Sequence, residues 1–129
     1  MQINVIASSP QLEALIERFT LFLCSELEIS PKKIEISSVD LDDLFGMCID
    51  MSPSEFVIMV KETGRELPNI MCTIAHEMIH VKQHLKENLS SHLHNCDIPY
   101  MDRWWEKEAY SKAPILVEKF AQRIVDKCM

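Results

Sequence analysis

Glycine is almost absent: Gly46 and Gly64 are the only two in 129 residues, and they stand alone. Walker A loops and dinucleotide fingerprints both need several clustered glycines, so nucleotide binding by those routes is excluded. Long apolar runs are missing as well, and no stretch approaches the roughly 20 consecutive apolar residues that span a bilayer. Basic residues are outnumbered, 13 Lys and Arg against 20 Asp and Glu, for a formal net charge of −7. Phosphate contacts are made mainly by Lys and Arg, so this balance argues against a nucleic-acid partner. Residues Met1 to Ala7 carry no basic n-region and no long apolar core, and no secretory signal is expected there. Paired CxxC spacing is also lacking. The five cysteines are an odd number, which suits a reduced, cytosolic protein rather than a disulfide framework. Cys24, Cys48, Cys72 and Cys96 recur at a spacing of 24, but their flanks (LFLCSEL, FGMCIDM, NIMCTIA, LHNCDIP) share no pattern, so no repeat is inferred.

What remains is an ordinary globular composition, 47% hydrophobic and 26% charged, of a length that fits one domain over residues 1–129. Residues 2–7 read as a short strand. Ser8-Ser9-Pro10 then offers a helix start, and Leu12, Leu15, Ile16, Phe19 and Leu23 keep helical spacing to about Leu27. Ser30-Pro31 breaks that helix. Lys33 to Val39 reads as a strand, Asp40 to Asp43 as a solvated turn, and Gly46–Met51 and Glu55–Lys61 as two strands of a hairpin or meander. A long helix is expected from Pro68 to about Asn88, followed by a polar connector from Leu89 to Pro99. A last helix is expected from about Asp102, kinked or restarted at Pro114. The fold class predicted is α+β, a mostly antiparallel sheet covered by helices.

All five histidines lie between positions 76 and 94. His76-Glu77-Met78-Ile79-His80 is an HExxH motif inside the long predicted helix. Residues i and i+4 share a helix face, so both imidazoles reach one zinc ion. Glu77 sits about 100° further round, suited to contact a zinc-activated water rather than the metal. Such a water is acidic near neutrality, and a carboxylate takes its proton during attack on a carbonyl.

The run Thr73-Ile-Ala-His-Glu-Met-Ile-His-Val-Lys-Gln83 resembles the active-site helix of the zincin metallopeptidases, in particular short SprT-like and phage-type members. Pro99-Tyr-Met-Asp-Arg-Trp-Trp-Glu-Lys-Glu-Ala-Tyr110 is similar to the downstream glutamate helix of the gluzincin branch. The resemblance is specific over about residues 70–112 and architectural before that. It implies a small zincin-like domain in which zinc is the cofactor and a peptide or protein is the substrate. The substrate would lie along an edge strand ahead of the active helix, for which Glu55–Lys61 is the expected segment. No nucleic acid or membrane partner is implied, oligomeric state stays open, and the expected location is the cytoplasm of a bacterium or phage-infected host cell.

A catalytic zinc site takes three protein ligands and leaves one position open. Glu106, Glu108, His84, His92, His94 and Cys96 are the candidates for the third. His84 extends the i+4 stripe, but one straight helix does not easily wrap three such side chains around one ion, so it is expected outside the ligand set. Gluzincins carry the ligand three residues before a small residue, and Glu106 stands so to Ala109. Helical spacing also groups Glu106 with Ala109, Tyr110 and Ala113, two small residues that allow close helix approach. Glu108 falls with Trp105 and Lys112, where an ordinary solvent-exposed ion pair is expected. The predicted ligands are therefore His76, His80 and Glu106, with Glu77 as general base. Trp104, Trp105 and Tyr110 are read first as core or groove packing, with Tyr100 or Tyr110 as hydrogen-bond donor to an oxyanion the less favoured alternative. The cysteines and methionines are read as core fillers. The connector from Leu89 to Met101 is expected to border the cleft and to be the least ordered internal segment. The alternative is a non-catalytic zinc-binding or interaction protein on the same scaffold, its site closed by Cys96 or His94.

Overall fold

The computed structural model describes residues 1–93 and 97–128. Ser9 starts the first helix: its extended backbone and its Oγ, which accepts from the Leu12 N–H at 3.1 Å, cap α1 (Pro10–Glu26), and Pro10 takes a first-turn position where a backbone donor would go unused. The helix ends in a left-handed residue that is not glycine. Glu28 has φ 55°, its N–H bonds the Ser25 carbonyl, and the Ile29 N–H reaches back to the Cys24 carbonyl at 3.0 Å. This two-bond closure satisfies carbonyls that the helix end would otherwise leave open.

Before α1 lies β1 (Gln2–Ile6); after it come β2 (Lys33–Ser38), β3 (Gly46–Ser52) and β4 (Glu55–Val60). Two further helices follow, α2 (Leu67–Lys86) and α3 (Trp104–Cys128), separated by single 3-10 turns at Leu89–Ser91 and Tyr100–Asp102. The four strands form one sheet in the order β1-β2-β4-β3. β1 pairs parallel with β2, β2 pairs parallel with β4, and only β3 with β4 is antiparallel. The sheet is therefore mixed rather than mostly antiparallel. α1 supplies the long crossover that parallel β1 and β2 require. The connection after β2 carries the chain past one strand position to the sheet margin, and the turn at Ser54 (φ 69°) folds β4 back into the gap. Glu55–Val60 is consequently an interior strand, and the expected edge role for Glu55–Lys61 is corrected: the edge on this side is β3.

Ile34, Ile36, Phe56, Ile58 and Val60 point to one face and are buried, as the period-2 alternation of a one-sided sheet demands. They join Phe19 and Leu23 of α1, Ile74, Met78 and Ile79 of α2, and Ala109, Ala113 and Phe120 of α3 in one core. Pro114 does not restart the last helix, which runs unbroken from Trp104 to Cys128. No described helix is long and apolar enough to cross a membrane.

Candidate metal centre

α2 buries its apolar side against the sheet and turns the stripe carrying His76 and His80 toward α3. The two rings lie edge to face with centroids 4.9 Å apart. Glu106 enters from the first turn of α3, its Oε1 3.0 Å from His76 Nε2 and 3.2 Å from His80 Nε2. The three side chains are only 10–14% exposed. Two imidazole nitrogens and a carboxylate oxygen thus lie within 4.8 Å of one another, and among the described residues this is the one such group of three that could hold a metal ion. The helices come this close because Ala109 and Ala113, on the Glu106 stripe, are fully buried between them.

The other candidates fall elsewhere. Glu108 points away from the histidines, to Lys82 at 2.8 Å, Lys112 at 2.7 Å and Gln83 at 2.8 Å. It is thus part of a half-buried network rather than of an ordinary solvent-exposed pair. His84 turns from the cluster to Ser90 and, at 3.7 Å, to Asp50 on β3, with its ring against Phe56. Its burial holds the imidazole below its usual pKa, against the pull of Asp50. His92 packs edge-on against Trp104. His94 and Cys96 lie outside the described residues.

Electrostatics in the cluster follow from partial burial. Desolvation works to raise the Glu106 carboxyl, but the hydrogen bonds from His76 and His80 overcome it and hold it at about 2. Burial would depress His80, but the carboxylates of Glu106 and Glu77 and the Gln83 contact win and raise it. Glu77 shifts opposite to Glu106: burial lifts its carboxyl above the ordinary range, more than the two histidines lower it. A carboxyl raised in this manner is suited to exchanging protons near neutrality.

Gly46 opens β3 directly over Glu77. A Cβ built on it would lie 2.5 Å from Thr73 Cγ2 and 3.2 Å from Glu77 Oε2. Only a residue without a side chain permits that approach. On one side of Glu77 opens a cavity of about 440 Å³ reaching Phe45, Arg65 and Tyr110; on the other, one of about 220 Å³ reaches Cys48, Leu93 and Trp105. Both are walled by Gly46, His76, Glu77 and Tyr100, so the cluster sits where they meet. Leu89, Leu93 and Tyr100 bring the connector to the cleft margin as expected. Tyr110 lays its ring edge against His76 at 4.6 Å, and its hydroxyl is 3.3 Å from that of Tyr100. Cys48 and Cys72 line these cavities, whereas Cys24 is a core filler.

Gln83 has no role in the sequence reading. It is fully buried and hydrogen-bonds His80 Nδ1 at 2.8 Å. Its sequence signal is a carboxamide three residues after His80, one helical turn on and so on the same side of α2. Compared with protein-family models, with curated proteins and with solved structures, the chain matches none.

Proposed function

We propose that this chain is a zinc-dependent metallopeptidase. The observation that carries the reading is the carboxylate of Glu106 within 3.2 Å of both imidazole Nε2 atoms of an HExxH helix, beside a buried Glu77 that is not part of the donor set. Two nitrogens and one oxygen fit the N/O preference of zinc, and three protein ligands are the number a catalytic site uses. His76, His80 and Glu106 would hold the ion. Zinc supplies a Lewis-acid charge that makes a coordinated water acidic near neutrality and polarises a substrate carbonyl.

The chain's own residues do the remaining work. Glu77 Oε2 accepts the proton of the attacking water and delivers it to the departing amine; its raised pKa suits both transfers. The hydroxyls of Tyr100 and Tyr110 are donors at the cleft wall, and burial keeps that of Tyr100 protonated far above neutrality. The substrate lies extended along β3, the sheet edge that begins at Gly46 over Glu77, and main-chain hydrogen bonds hold it there by strand addition.

Zinc-loaded protein incubated with a broad peptide library, alongside Glu77→Gln, tests the reading. Cleavage by the native chain and near-total loss in the variant are expected. Equal cleavage by both, or none by the zinc-loaded native chain, contradicts it.

A further inference from the structure

We propose that Gln83 is a positioning residue for the metal centre: it holds His80 with its proton on Nδ1 and its Nε2 toward Glu106, and it ties that ring to the helix that carries Glu106. The inference rests on the zinc reading above and concerns how the donor set is kept in place.

Gln83 has no solvent exposure, so its three polar contacts are all within the protein. Its Nε2 donates to the Trp105 carbonyl at 3.0 Å and to Glu108 Oε1 at 2.8 Å. Both partners are acceptors only, so the NH2 group must face them. The Oε1 end is then turned to His80 Nδ1 at 2.8 Å. An amide oxygen only accepts. His80 therefore carries hydrogen on Nδ1, and Nε2, which faces Glu106 at 3.2 Å, is the nitrogen that would bind a cation on giving up its own hydrogen.

The same amide joins the two ligand-bearing helices. Trp105 and Glu108 flank Glu106 on α3, while His80 and Gln83 are one helical turn apart on α2. Glu108 is itself fixed from both sides, by Lys82 at 2.8 Å and Lys112 at 2.7 Å. Lys82, only 11% exposed at its side chain, also pairs with Glu87 at 2.7 Å. Among the described residues no buried side-chain nitrogen or oxygen is left without a partner. A fully satisfied network of this kind defines one arrangement, since any shift of α3 along α2 breaks several bonds together. It also explains why the chain keeps a carboxamide where its neighbours Met78, Ile79 and Val81 are apolar and buried.

Partners that orient a metal-ligating histidine are worth about 10- to 100-fold in metal affinity. Three proteins decide the matter: the full native chain, Gln83→Met, and the exchanged pair Gln83→Glu with Glu108→Gln. Methionine keeps the shape and removes the acceptor. The exchanged pair keeps an acceptor on His80 and a hydrogen bond between the helices. Zinc affinity is read by competition with a chromophoric chelator, and the His80 Nδ1–H by NMR of zinc-loaded, 15N-histidine-labelled protein. The native chain is expected to show an exchange-protected Nδ1–H. Gln83→Met loses that signal and binds zinc about 10- to 100-fold more weakly, and the exchanged pair binds more tightly than Gln83→Met. A folded Gln83→Met that binds zinc like the native chain overturns the positioning role and leaves the zinc reading standing. Should Gln83→Met not fold, absence of a protected His80 Nδ1–H in the native chain overturns the role by itself. A native chain that takes up no zinc overturns the zinc reading, and the role of Gln83 falls with it.

Discussion

Replacing Gly46 by alanine probes the closest backbone approach at the candidate site. The added Cβ would sit 2.5 Å from Thr73 Cγ2, about 1–1.5 Å inside the ~3.5–4.0 Å at which carbon atoms pack. Thr73 has little freedom to yield, because its Oγ1 accepts from Arg65 Nη2 at 2.8 Å. Glu77 Cγ and Oε2, at 3.3 and 3.2 Å, must also give by a few tenths of an ångström. Overpacking of this kind costs about 1–3 kcal/mol, and the lower chain entropy of unfolded alanine offsets about 0.4–1 kcal/mol of it. A net loss of about 1–2 kcal/mol is expected, measured by urea unfolding of the metal-free protein. Thr73→Ser removes the obstructing methyl and keeps the hydroxyl for Arg65. In that background Gly46→Ala should be close to neutral, a coupling of at least about 1 kcal/mol. Effects that add to within ~0.3–0.5 kcal/mol would refute the reasoning, since no steric conflict would then link β3 to α2.

Glu106→Gln should lose most bound zinc, while Glu108→Gln should keep near-unit zinc content and a folded chain; metal analysis of the purified variants decides, and the reverse pattern refutes the ligand assignment. Glu28→Gly should stabilise the protein by about 1 kcal/mol, because glycine adopts the left-handed cap of α1 without the Cβ clash; an unchanged or lower melting temperature counts against it. The metal-free protein should weaken as pH falls from about 4.5 toward about 2. Burial opposes ionisation of Glu106 and Glu108, but histidine partners hold the first and Lys112, Lys82 and Gln83 the second at about 2, below the ordinary 4.5. The unfolded chain therefore binds more protons across that window, and the stability these carboxylates contribute above it is lost within it. Urea midpoints that stay flat on acidification contradict this.

The parts of the molecule legible in the sequence were the local ones. Helical spacing of Leu12 to Leu23 and of Ile70 to Ile79 gave α1 and α2 to within a few residues, because amphipathic helices write their contacts within a few positions along the chain. The HExxH pair and the Glu106–Ala109–Ala113 stripe were legible for the same reason. Strand order was not. β3 and β4 read as neighbours and are neighbours, but which of them pairs with β2 depends on contacts across the sheet that no local pattern encodes. The expected edge role of Glu55–Lys61 failed on that point, since a hairpin inserted into a sheet looks in sequence like one at its margin. The Glu108 network is not legible because Lys82 and Gln83 reach Glu108 only when α2 and α3 pack, and Gln83, although one turn from His80, gains its Trp105 and Glu108 acceptors only by that same packing.

The central claim is a zinc site of two imidazoles and one carboxylate with an open position, and cobalt substitution tests it most directly. Uptake of one cobalt ion per chain is expected, with visible bands of an N/O donor set, no thiolate charge-transfer band, and loss of the spectrum in Glu106→Gln. A thiolate band, or no cobalt uptake by the native chain, would contradict it.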